Sequence, residues 1–119
     1  MTLIEEIKAL ELKSVEELYE IIGEQLLSKT LGADEFSDEE KREEAIEWEK
    51  QQEVSLRKAI CTSSVYRAWV ENPRGWDWIM ITAGLADVIA PVVVGVAPLT
   101  VATLILKKGL DNFCADNER

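Results

Sequence analysis

The residue best suited to acid–base and metal chemistry is missing from this chain: there is no histidine among its 119 residues. That removes the commonest general base and metal ligand, together with every catalytic triad that uses one. Cys61 and Cys114 are the only cysteines, with about 50 residues between them and no CxxC spacing. Neither a zinc site nor a disulfide framework is expected from such a pair, and a reducing, intracellular setting is the default. Cys61, in Ile60-Cys61-Thr62-Ser63-Ser64, reads as a small buried residue rather than a reactive thiol. Cys114 reads as a packed residue, with acylation near a membrane surface as its alternative.

Carboxylates are the remaining reactive groups. Glu40/Glu44 and Glu43/Glu47 stand at helical spacing, but a ferritin-like metal site also needs Glu-x-x-His, so a solvated charged face is the expectation. The run from Asp34 to Glu40 is acidic without the spacing or central glycine of a calcium loop. Gly84, Gly95 and Gly109 are isolated, so no phosphate-binding loop is present. No catalytic, cofactor-binding or metal site is expected, and the chain reads as a non-enzyme.

Asp87 is the residue with most functional potential. It is the single charge between Ile79 and Leu106, an otherwise apolar stretch of 28 residues. In a membrane it would mark a partner, an ion path or an assembly contact; in a soluble bundle it would cap a helix or face solvent. Trp69, Trp76 and Trp78 precede the stretch, and Lys107 and Lys108 follow it. Aromatic rings at one interface and basic residues at the other are the usual anchors of a span. With Trp48, these tryptophans read equally as core or as partner anchors.

The elements that must position these groups read as helices. Residues 1–58 carry 17 acidic and 8 basic side chains, against 6 and 5 in residues 59–119, so most of the formal charge of −10 lies in the first half. That field repels nucleic acid. Thr2/Glu5, Ser14/Glu17 and Ser37/Glu40 each place a hydroxyl three residues before a glutamate, the pattern of a capping box. They predict a first helix over 3–12 burying Leu3, Ile4, Ile7 and Leu10. A second over 15–28 carries Val15, Leu18, Tyr19, Ile22 and Leu26 on one stripe, with Gly32 ending it. A long charged third helix runs from Asp38 to at least Ile60, and as far as Trp69 on its longest reading, with Ala45, Trp48, Gln52, Leu56 and Ala59 along its apolar side. Asn72-Pro73-Arg74-Gly75 writes a turn.

From Val88 to Leu106 no ionisable group occurs for 19 residues, about the length that crosses a bilayer as a helix. Pro91, Gly95 and Pro98 interrupt it, and Pro98 suits the first turn of a last helix reaching Phe113. The acidic N-terminus fits neither a secretory signal nor a transit peptide. The expected architecture is all-α: an acidic helical domain over 1–75, an apolar helical segment over 76–108 and a polar tail over 109–119. The segment is either a single tilted transmembrane helix or a helical hairpin broken by proline and glycine.

The function expected is that of a membrane-anchored interaction protein that associates with a protein partner or with itself, without nucleic acid, small-molecule substrate, cofactor or metal. Small residues at Ala83, Gly84, Ala86 and Gly95 would permit close helix approach, though their spacing is not a clean GxxxG. The alternative is a soluble helical adaptor whose apolar hairpin is the bundle core and whose acidic surface binds a protein.

Overall fold

The expected helix starts are each built by a hydroxyl accepting from the backbone. In the computed structural model, which describes residues 2–28 and 35–115, α1 (Leu3–Glu11) is capped by Thr2, α2 (Val15–Leu27) by Ser14 and α3 (Asp38–Cys61) by Ser37. At Ser14 and Ser37 the glutamate also accepts from the cap's own N–H, completing the box. At Thr2 the Glu5 carboxylate instead accepts from the threonine hydroxyl. Gly32 and the start of the connection before α3 lie outside the described residues, and α2 is already closed by Ser28, whose N–H donates to the Glu24 carbonyl.

The third helix stops at the shorter of its two expected ends, and the last expected helix is divided. Thr62 and Ser63 end α3, and the Ser63 hydroxyl caps α4 (Ser64–Glu71). The stretch from Pro98 is cut at Gly109 into α6 (Pro98–Lys108) and α7 (Leu110–Ala115). Gly109 has φ +106°, a conformation that side chains with a Cβ avoid, so the chain changes direction there.

The apolar segment is the second alternative of the sequence reading, the broken hairpin. After the 3₁₀ turn Pro73–Gly75 come α5 (Trp78–Ile89), a connection over residues 90–97, and α6. The single tilted span is not formed, because Pro91 and Gly95 fall between two helices of 12 and 11 residues. Among the described residues no helix is long and apolar enough to cross a membrane. Val92-Val93-Val94 lies in the connection, where Val93 is buried and Val94 exposed.

Hydropathy marked this segment because α6 is central. Six consecutive residues, Thr100 to Ile105, are buried, and α6 meets α1, α2, α5 and α7. A helix apolar on every face needs neighbours on every face, and four surround this one. The Thr103 hydroxyl donates to the Leu99 carbonyl and that of Thr82 to the Trp78 carbonyl, so both are satisfied inside their own helices.

Helices α2 and α3 run antiparallel, as their cross-pairs show: Tyr19 with Glu49, Glu20 with Arg42 and Glu24 with Lys41. Gly23 lets them touch. A Cβ built there would lie 1.9 Å from the Lys41 carbonyl oxygen, inside any van der Waals limit. Leu18 and Ile22 of α2 and Ala45, Leu56 and Ile60 of α3 join residues of α4 to α7 in one buried cluster. The stripes are narrower than expected: on α1 only Ile7 is buried, Leu3 and Ile4 stay half exposed, and Ile46 is exposed on α3.

One expectation is overturned outright. Cys61 and Cys114 form a disulfide between the end of α3 and α7, with their Cα atoms 5.6 Å apart. A separation of 53 residues carries no spacing signal, and only the turn at Gly109 brings α7 back beside α3. Cys114 is thus packed, as expected, but neither residue is a thiol. With both cysteines in a disulfide, they no longer point to a reducing setting.

Candidate functional site

The residues singled out by sequence fall into three places. Asp87, on the exposed side of α5, edges a cleft of about 590 Å³ framed by α1, α2, α5 and the start of α6. Small side chains open it: Ala9 of α1, Ala83 and Ala86 along α5, and Ala90 just after it. Leu3, Leu10, Ile21 and Leu99 supply larger apolar walls. Among the described residues, the charged groups lining it are Glu6 and Asp87, both acidic. A concave apolar surface of this size with a few fixed polar groups is the usual form of a binding site.

One wall of the cleft is fixed by a long-range hydrogen bond. Pro98 begins α6 and no side chain of its own turn caps it. The Ala97 N–H, just before, instead donates to Oε1 of Gln25 on α2 at 2.8 Å. Losing this acceptor would leave a part-buried donor unpaired, so Gln25 holds the hairpin against α2 where the cleft is formed.

Trp69, Trp76 and Trp78 come together at a second concavity of about 530 Å³, with Asp77 and Asp111 among its lining groups. Trp69 extends from α4 and stacks on Tyr66, centroids 6.3 Å apart at 26°. Trp76 follows the 3₁₀ turn and lies beside Gly84 of α5, where a built Cβ would meet its Cζ3 at an ordinary 3.7 Å and Val65 Cγ1 more tightly, at 3.2 Å. Trp78 begins α5, and its indole N–H is buried with no acceptor among the described residues. Asp77 is the N-cap of α5, its Oδ1 accepting from the Met80 N–H at 2.8 Å. Trp48 stands apart, half buried against the main core.

The two lysines do not share a role. Lys107 is half buried in the last turn of α6, where a cation suits the helix dipole. Lys108 reaches across to α2 and α3: its Nζ lies 2.9 Å from the Tyr19 hydroxyl and 2.9 Å from Glu49 Oε1, and that hydroxyl donates to the same carboxylate oxygen at 2.8 Å. The ammonium is 5.6 Å from the Tyr19 ring centroid, so it is held at the oxygen end rather than over the ring face. Burial lowers the Lys108 pKa, but the hydrogen bonds to Tyr19 and Glu49 outweigh it and the net shift is upward. Tyr19 is raised too, by burial first and by Glu49, against the opposing pull of Lys108. A tyrosine and a lysine both held in their protonated forms suit a clamp among three helices and not a nucleophile or base.

Sequence reasoning missed this clamp and the disulfide, because both join residues far apart in the chain. For Tyr19 a faint signal existed, a phenol placed on an otherwise aliphatic stripe. The acidic pairs Glu40/Glu44 and Glu43/Glu47 lie on exposed α3 surface, and no cluster able to hold a metal ion occurs among the described residues.

Comparison of the chain with protein-family models, with curated proteins and with solved structures gives no match.

Proposed function

We propose that this chain is a non-catalytic helical binding module, and that its α1/α2/α5/α6 cleft receives the apolar side of a basic amphipathic helix carried by a protein partner. The observation that carries this reading is the cleft itself: an apolar trough whose charged lining groups, Glu6 and Asp87, are both carboxylates. Helix-in-groove recognition uses apolar anchors at steps of three and four residues in such a trough, and rim carboxylates select Lys or Arg beside those anchors. The overall acidity, with a formal charge of −10, favours encounter with a basic partner. In this reading the apolar hairpin is the scaffold that shapes the cleft, the adaptor role, and no membrane crossing is required of it.

The test is anisotropy of a labelled 18-residue Leu/Lys amphipathic peptide, a length of about five helical turns, titrated with the full chain. Its Leu/Glu counterpart serves as the control. The Leu/Lys peptide should bind at least about tenfold tighter than the Leu/Glu one, a difference of about 1.4 kcal/mol. Ala90→Trp, at an exposed cleft position, should abolish binding, and Asp87→Lys should reverse the charge preference. Binding that survives Ala90→Trp would remove the cleft from the function. A concentration-dependent rise in mass that Ala90→Trp abolishes would replace the foreign helix with a second copy of the chain.

A further inference from the structure

The tryptophan-lined concavity shares no residue with the cleft, and its chemistry is different. Three indoles from one stretch of ten residues, Trp69, Trp76 and Trp78, line one space together with Asp77 and Asp111, and among the described residues no lysine or arginine lines it. Indole is the side chain whose π-face attracts a cation most strongly. Carboxylates beside the rings add ordinary charge attraction, which indoles alone do not supply. Trp69 stacks on Tyr66, Trp69 and Trp76 both pack against the buried core, and Trp78 stands at the first position of α5. Asp77 is fixed by capping α5, and Asp111 stands exposed in the first turn of α7, just after the turn at Gly109.

We infer that this concavity is a binding site for a methylated ammonium group, as carried by choline-type small molecules or by a trimethyl-lysine side chain. A methylated ammonium is the ligand that uses both features at once, its methyl groups packing on the indoles and its diffuse charge answering the carboxylates. A small ammonium or a metal ion would take the acids and leave three tryptophans without a role. A neutral apolar group would take the rings and desolvate two carboxylates for nothing.

Choline chloride titrated into the full ¹⁵N-labelled chain tests this by following the indole N–H resonances of the four tryptophans. Those of Trp69, Trp76 and Trp78 should shift saturably while that of Trp48 stays still, with sodium chloride at equal ionic strength moving none of them. The neutral isostere 3,3-dimethyl-1-butanol should bind about tenfold more weakly. Asp111→Asn, at an exposed position, should weaken choline by roughly threefold or more without changing the fold, and Trp76→Leu should weaken it by at least about tenfold. Should Trp76→Leu fail to fold, the Asp111 variant still decides. Equal binding of the neutral isostere, an unchanged Asp111→Asn variant, or still indole resonances up to roughly 10 mM choline would each overturn the site. A peptide bearing trimethyl-lysine, run in parallel, identifies the source of the group by binding more tightly or more weakly than choline.

Discussion

At the scale of single residues, the Tyr19–Glu49–Lys108 clamp sets how the protein responds to alkali. Lys108 and Tyr19 both have folded pKa values above their ordinary ones. Their contribution to stability is therefore complete below the unfolded values, near 10, and is lost as pH rises through the raised folded values. Thermal melts should fall in midpoint above about pH 10, and Lys108→Met should make that fall shallower while lowering the midpoint at pH 7. Glu17 and Glu40 have the opposite sign. The Ser14 and Ser37 backbone N–H groups, and then their hydroxyls, hold the two carboxyls below the usual range. That stability is present above the unfolded value and is lost as pH falls through the depressed ones. The double variant Ser14→Ala/Ser37→Ala should be less stable at pH 7, by about 1 kcal/mol per cap, and should lose less on acidification. The caps were legible because a capping box is local, three residues long. The clamp was not, because 30 and 59 residues separate its members and only the finished packing of α2, α3 and α6 brings them together.

At the scale of elements, the close approach of α2 and α3 rests on one missing side chain. Gly23→Ala would drive a Cβ into the Lys41 backbone, and a backbone wall does not yield as the end of a flexible side chain would. The variant should be destabilised by at least about 2 kcal/mol in urea unfolding, whereas an ordinary Gly→Ala change inside a helix is stabilising. A stable Gly23→Ala protein would mean that the two helices pack farther apart. Helix starts and the apolar hairpin were readable from caps and composition. The start of α4 at Ser63 and the division at Gly109 were not. Ser63 caps α4 without a glutamate three residues on, Tyr66 standing there instead, so it lacked the pattern that marked the other starts. Gly109 looked like an isolated glycine in a helical run until its positive φ defined the turn.

At the scale of the whole molecule, one buried cluster takes side chains from α2 and α3 as well as from the hairpin. A fragment ending at residue 75 would leave Leu18, Ile22, Leu56 and Ile60 without their partners on α5, α6 and α7. It should therefore lose cooperative thermal unfolding, whereas an independent acidic domain would keep it. Whether the apolar segment meets lipid or protein was the question hydropathy raised and was unable to answer, because hydropathy counts apolar residues without recording what covers them. The cover for α6 comes from α1 and α2, more than 70 residues earlier, as the Gln25–Ala97 bond illustrates across a separation of 72. The three tryptophans were visible as a group for a simpler reason, since two of them are nearly adjacent in sequence. The bond between Cys61 and Cys114 has a topological result. It closes a covalent ring containing α4, the exposed 3₁₀ turn, α5 and α6, so a protease that nicks the chain at Pro73–Gly75 converts it into a two-chain protein without releasing either part. The nick would be invisible on a non-reducing gel and would appear as two fragments once the sample is reduced.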